Sequence, residues 1–447
     1  MRFSIQLSSA LLIGIAAAVP ATTTGVASQS LNTTRSENTT AADAGPESDF
    51  KDMNPFNITA TETTEDRVSH SICWSKVPDN MFLNWTNFKA NGANLGGWLE
   101  KEKTHDPIWW ASVGDGVAAD AQDEWTLCEL LGDECGPALE ARYTDFLNKT
   151  TIDQLASVGV NTLRIPTTYA AWVDVPGSSF YYGKQQEHLR EISLYAIEEY
   201  SMHVIIGLHS LPGGVNNLDI GEGLMHDAWF YNDTNMEYSW QAVDEVLTFM
   251  KNSGHLNAFT IAPINEASDN LSSFGSAAGL TDNATNWILS YMDGVFERVE
   301  AVDKRIPVML QDCFKGASFW APLFETTRNL VIDSHVYYFA ASGTYSQWVN
   351  PAVCGQAAYI AEETSFPVFV GEWALQVMYN NTFDGRKTIF DTQRYAWQKY
   401  VAGGAFWTAV SYATAEVDGE GVQRDYWSYI DLINDGVITS ATNSSYC

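Results

Sequence analysis

Positive charge is scarce in this 447-residue chain: 24 lysines and arginines stand against 55 aspartates and glutamates, a net charge of −31. A nucleic-acid partner demands basic patches that neutralise phosphates, so that class is excluded. The balance fits a soluble protein in acidic surroundings, where surface carboxylates are partly neutralised. No Cys-x-x-Cys pair and no histidine-rich spacing offers a zinc site. No Gly-x-Gly-x-x-Gly follows the first strand-like run, which counts against a dinucleotide-binding sheet. Past the N-terminus no apolar run is long enough to cross a bilayer, so no membrane partner is expected. The C-terminal residues Asn443–Cys447 carry no lipid-anchor tail.

What is present starts with an address. Arg2, the apolar run Leu11–Ala18 and the small residues around Pro20-Ala21 describe a secretory signal peptide over residues 1–21. Residues 22–70 are rich in Thr, Ser, Asn, Asp and Glu, too polar to bury a core, and are expected to be disordered. From residue 71 to 447 the composition is globular, without repeats or a second linker, and is taken as one catalytic body. Ten Asn-x-Ser/Thr sequons, at Asn32, Asn38, Asn57, Asn84, Asn148, Asn232, Asn270, Asn283, Asn380 and Asn443, fit a secreted or cell-wall glycoprotein. Six cysteines in an oxidising compartment predict disulfides, with about 15 possible pairings. Sixteen tryptophans supply more ring surface than a core needs and suit stacking on sugar faces.

Eight apolar runs read as buried parallel strands: Ala90–Leu95, Val160–Ile165, His203–Leu208, Phe259–Ile264, Ile306–Gln311, Leu330–Ser334, Val368–Gly371 and Gly404–Trp407. Between them Leu139–Ser157, Leu189–Met202, Trp240–Met250 and Trp287–Val302 keep helical spacing. Eight strand–helix units predict a (β/α)8 barrel, an α/β fold, with a doubly wound open sheet as the alternative.

Chemistry in such a barrel sits where the strands end. Two runs stop at glutamates, Ile264-Asn265-Glu266 and Val370-Gly371-Glu372. Paired carboxylates presented this way act as acid/base and nucleophile on a glycosidic bond. Arg164 after the second run can hold a carboxylate ionised, although a lone arginine is more often a surface ion pair. His209 alone is as often a satisfied core histidine. His335 and Tyr337 alternate onto one side of the sixth strand, and Trp407 closes the eighth. Such residues at six strand ends are hard to assemble by accident.

The motifs Ala93-Asn94-Leu95-Gly96-Gly97-Trp98, Leu163-Arg164-Ile165-Pro166, Leu208-His209-x-x-Pro212-Gly213, Asn265-Glu266, His335-x-Tyr337, Val370-Gly371-Glu372-Trp373, Phe406-Trp407 and Tyr426–Ile433 resemble glycoside hydrolase family 5, and most its fungal exo-β-1,3-glucanases. The resemblance implies that Glu266 is the acid/base and Glu372 the nucleophile of a retaining hydrolysis that releases glucose from β-1,3-glucan, by a monomer without metal or organic cofactor. It implies that Asn265 bonds the sugar 2-hydroxyl and that Arg164 and Tyr337 orient Glu372. It further implies that His209 and His335 line the sugar site, that Trp407 forms its floor, and that Asn216 and Asp219 close its end. Glu102 falls where the branch binds the terminal sugar, but Gly97-Trp98-Leu99-Glu100-Lys101-Glu102-Lys103 lacks the branch's proline and leaves Glu100 as the alternative. Leu218 and Ala340, with Tyr338 and Phe339 adjacent, stand where the branch clamps the next sugar with two phenylalanines. That change keeps other β-glucosides, including β-1,6-glucan and phenolic glucosides, open as substrates. The spacing of Cys354 and Cys447 resembles a family disulfide; Cys128 and Cys135 are close enough to pair locally, which leaves Cys73 for Cys313. The insertion Glu100–Asp133 and the loop Gly213–Asp227 are the segments expected to wall off one end of the cleft. An inactive wall-binding protein is the rival outside enzymes, and the complete set of Glu266, Glu372, Asn265 and Arg164 speaks against it.

Overall fold

Eight parallel strands pair in sequence order, and the last closes on the first. They are β1 Ala90–Asn94, β2 Thr162–Thr168, β3 His203–Ser210, β4 Phe259–Ala262, β5 Val308–Gln311, β6 Leu330–His335, β7 Val368–Trp373 and β8 Gly403–Phe406. The computed structural model describes residues 81–216, 218, 220, 222, 228–363, 365–440 and 447. The expected signal peptide and leader, Cys73, Asp219, the sequons at Asn32, Asn38, Asn57 and Asn443, and most of the loop Gly213–Asp227 lie outside those residues. Among the described residues no helix is long and apolar enough to cross a membrane.

The strand boundaries follow backbone donors. β4 stops at Ala262 and β5 starts at Val308 because Pro263 and Pro307 have no N–H to give the ladder. β2 does not end at Ile165 as expected; it continues through Pro166, which pairs in register with Gly207, to Thr168. Arg164 therefore lies within a strand, fully buried, and not at its end. The barrel interior is filled by Ile205, Ala262, Met309, Val331, Phe369 and Ala405, which pack with Leu83, Trp85 and Ala90. Trp85, just before β1, is buried there and donates its indole N–H to Thr260 Oγ1 at 3.0 Å. A filled interior leaves only the far end of the strands for a site.

The outer helices bury their apolar stripes against the barrel. Asp233–Asn252 and Asp282–Asp303 contain the expected helices and extend them, while Gln185–Tyr200 starts a turn before the expected Leu189–Met202 and ends two residues short of it, at a left-handed Ser201. The expected helix Leu139–Ser157 is instead two, Cys135–Phe146 and Lys149–Ser157. The break falls at Asn148, whose side chain accepts from Thr151 N–H in a capping box that starts the second helix. The connection after β5 holds the short helix Ala317–Trp320 and the 3-10 turn Ala321–Leu323 that follows it. The insertion Glu100–Asp133 is ordered around Pro107–Ser112 and Glu124–Leu131.

Cys128 bonds Cys135, and Cys354 bonds Cys447 across 93 positions. Cys313 is buried and has no disulfide partner among the described residues, and its expected partner Cys73 lies outside them. Asn84, Asn148, Asn283 and Asn380 are exposed sequons.

Candidate active site

The guanidinium of Arg164 is the hub. From β2 it donates Nη1 to Glu372 Oε1 at 2.8 Å and to Asn94 Oδ1 at 3.0 Å, and Nη2 to Asn265 Oδ1 at 2.8 Å. His209 Nε2 lies 3.1 Å from Nη1, and Asp333 Oδ2 lies 3.5 Å from Nε. An arginine only donates, so His209 Nε2 carries the lone pair and Nδ1 the proton. Burial, Arg164 and His335 all push the His209 imidazole well down from its ordinary value, which keeps it neutral.

Glu372, in β7, is held from three directions. Besides Arg164, Tyr337 donates its hydroxyl to Oε2 at 2.8 Å, and His335 Nδ1 lies 3.3 Å from the same oxygen. Burial, with the neighbouring Glu266, outweighs the pull of His335 and Arg164 and leaves the Glu372 carboxyl above its ordinary value. Donors aimed at both oxygens favour the carboxylate form. His335 Nδ1 also lies 2.6 Å from Glu266 Oε1. Burial works to lower the His335 imidazole, but Glu372, Asp333 and the hydrogen bond to Glu266 push it up to about 10. The imidazole lies between carboxylates, and its Nε2 stands 3.4 Å from Arg164 Nη2. One oxygen of Glu266, one of Glu372 and a His335 nitrogen all lie within 4.8 Å of one another. Two carboxyls whose oxygens approach this closely can both reach one sugar carbon between them.

Irregular register aims these side chains. β6 and β7 shift between Asp333 and His335, which sets His335 opposite Glu372. Asp333 Oδ1 accepts the Gly371 N–H at 2.7 Å, and a Cβ on Gly371 would meet that oxygen at 2.1 Å. The residue before Glu372 is a glycine because a carboxylate occupies its side-chain space.

One wall is aromatic. Trp407 lies parallel to His209, with ring centroids 5.5 Å apart, and donates its indole N–H to His105 Nε2 at 2.8 Å. Tyr337 stacks on Trp427 with centroids 5.5 Å apart, and Phe339 packs against both rings. Phe339, half-buried, supplies the ring beside Ala340, which is buried. Glu102 Oε2 lies 3.4 Å from His105 Nε2 and Glu102 is partly open to solvent, whereas Glu100 is fully buried. Glu102 is thus the accessible member of the two alternatives. Asn216 does not present a free amide to a sugar: Nδ2 donates to the Glu266 carbonyl at 3.1 Å, and Oδ1 accepts Leu218 N–H at 3.1 Å.

The barrel therefore gathers Glu266, Glu372, Arg164, His209, Asn265, His335, Tyr337 and Trp407, with Glu102 close to His209. Three members carried no assigned role in the sequence: Asn94, Asp333 and Gln311. Asp333 had a signal, a carboxylate inside the apolar run Leu330-Val331-Ile332. Asn94 had one too, a polar side chain at the end of β1.

Two groups bring possible metal-ligating atoms within 4.8 Å: Glu266, His335 and Glu372, and Glu100, Glu102 and His209. In the second group the lone pair of His209 Nε2 faces Arg164.

A closed (β/α)8 barrel with two carboxylates at the ends of β4 and β7 defines a glycoside hydrolase framework. No family model matches the chain. It is 28% identical over 288 residues to the probable glucan 1,3-beta-glucosidase A of Aspergillus niger, covering 64% of this chain and 64% of that relative's length. It superposes on the crystal structure of rutinosidase from Aspergillus niger with a TM-score of 0.78 and 45% identity, covering 80% of this chain and 100% of that one. A broad-specificity family 5 endoglucanase from Clostridium longisporum shares the fold at a TM-score of 0.54 and 14% identity, over 80% of this chain and 96% of that one. The chain belongs to glycoside hydrolase family 5.

Proposed function

We propose that this chain is a retaining β-glycosidase in which Glu372 is the nucleophile and Glu266 the acid/base. The observation that carries the proposal is the hold on Glu372 by Arg164 and Tyr337, with Glu266 within 4.8 Å. In the first step a Glu372 oxygen bonds the anomeric carbon as the aglycone oxygen leaves with the proton from Glu266. In the second, water attacks that carbon, gives its proton to Glu266 and releases Glu372. His335, made more basic by the carboxylates around it, lies between the two carboxyls and offsets negative charge as it passes from one to the other. Asn265, its oxygen fixed on Arg164, turns its amide N–H groups away from the guanidinium toward a 2-hydroxyl acceptor.

For the substrate we favour a rutinoside, the β-glycoside of a rhamnosyl-glucose disaccharide. The 45% identity spans the whole of a rutinosidase, whereas the glucan glucosidase match covers 64% of its relative. Leu218 and Ala340, in place of two clamping phenylalanines, agree with an aglycone side no longer shaped for a second glucan unit. The second substrate is β-1,3-glucan, cleaved to glucose from its non-reducing end, which the name of the Aspergillus niger glucan 1,3-beta-glucosidase favours. Rutin and laminarin, given separately to the enzyme, decide: free rutinose from rutin is expected, and glucose from laminarin alone would reverse the preference. Proton NMR of the first-formed sugar should show the β-anomer; an α-anomer would remove the retaining mechanism. We expect a secreted, glycosylated monomer, in keeping with two disulfides and four exposed sequons.

A further inference from the structure

We propose that Gln311 and Asn216 are positioning residues that clamp the peptide of Glu266 at both ends and so set where its carboxyl points. This rests on the assignment of Glu266 as the acid/base. Glu266 has φ +46°, the left-handed region that a residue with a Cβ avoids. Its N–H donates to Gln311 Oε1 at 3.0 Å, and its carbonyl accepts Asn216 Nδ2 at 3.1 Å. The same Gln311 oxygen accepts Cys313 N–H at 2.8 Å, where Cys313 and Phe314 are also left-handed, at φ 49° and 58°. One side-chain oxygen thus ties the chain leaving β4 to the chain leaving β5.

The atom between two backbone N–H groups must be the oxygen of the amide. The other end, Gln311 Nε2, is buried with no hydrogen-bond partner among the described residues. A buried N–H group without a partner is costly, so what this side chain contributes is its acceptor. A left-handed residue freed from the clamp relaxes toward ordinary backbone, and rotation at its Cα swings the carboxyl away from His335 and from the leaving oxygen.

The test uses leaving groups. Phenyl β-D-glucoside needs a proton on its departing oxygen, whereas 2,4-dinitrophenyl β-D-glucoside does not. Gln311→Met keeps the volume and removes the acceptor. It should lower kcat/KM for the phenyl glucoside by about 10- to 100-fold, up to the lower bound of what general acid catalysis contributes, and leave kcat/KM for the dinitrophenyl glucoside within about 3-fold. Azide, which needs no general base, should accelerate turnover of the dinitrophenyl substrate by the variant and yield glucosyl azide. Gln311→Glu retains an acceptor oxygen and should restore most of the phenyl glucoside activity. Equal losses on both substrates, or no loss on either, would overturn the clamp. If Gln311→Met does not fold, Asn216→Ala, which frees the carbonyl end, must give the same leaving-group dependence or the proposal falls. Glu266→Ala is the reference: if it lacks this dependence, the acid/base assignment has failed and not the clamp.

Discussion

Arg164 in β2 and Glu372 in β7, 208 positions apart in the chain, meet at 2.8 Å with both side chains buried. The pair is one corner of a fan, because the same guanidinium also fixes Asn94, Asn265 and the lone pair of His209. A lysine offers one point charge in place of five fixed donors. Arg164→Lys should therefore lower kcat by about 100-fold or more while leaving the protein folded, since several positioned groups move together. Circular dichroism beside steady-state rates checks this; a variant within a few-fold of wild type would mean that charge alone is sufficient.

Tyr337 contributes a single hydrogen bond to Glu372 and stacks on Trp427. Tyr337→Phe removes the donor and retains the ring. A hydrogen bond to a charged group is worth about 1.5–3 kcal/mol, so kcat/KM should fall roughly 10- to 100-fold with little change in thermal midpoint. Loss of midpoint without loss of rate would make Tyr337 a packing residue only.

The barrel was legible in the sequence because parallel strands buried on both faces leave long apolar runs, and all eight were marked by them. Their ends were less legible. Pro263 and Pro307 cut two strands short, while Pro166 was accommodated inside β2. A continuous helical spacing concealed the break at Asn148, where a local side-chain cap outweighs periodicity. Within the site, the residues that stand at motif ends were found. Asp333 and Gln311 were not assigned, because their partners Gly371 and Glu266 are distant in sequence and are reached through the backbone. The role given to Asn216 changed for the same reason: its amide faces the carbonyl of Glu266, a contact that spacing cannot reveal.

Asp312, next to Gln311, gives a pH signature. Burial pushes its carboxyl up to about 6, against hydrogen bonds from Ser334 and Phe314 N–H that pull it down. The folded value lies above the unfolded one, so the folded state binds the proton more tightly. The associated stability is present below about pH 4 and is lost as pH rises through about 6. Two pK units correspond to about 3 kcal/mol. Asp312→Asn keeps an acceptor for Phe314 N–H and should flatten the decline in thermal midpoint between pH 4 and 7. An unchanged slope would mean that other buried groups produce it.

The bond between Cys354 and Cys447 ties the helix Val349–Ile360 to the last residue across 93 positions. A loop of that length constrains the unfolded chain by about 4–5 kcal/mol in the chain-entropy account. The bond between Cys128 and Cys135 spans 7 positions, so the same account assigns it a smaller share. Replacing Cys354 and Cys447 together by alanine should lower the thermal midpoint by several degrees more than replacing Cys128 and Cys135. Activity below the midpoint should be little changed, because neither bond touches Arg164, Glu266 or Glu372. A larger loss from the short loop would place the decisive constraint in the insertion Glu100–Asp133, beside Glu102, and not at the C-terminus.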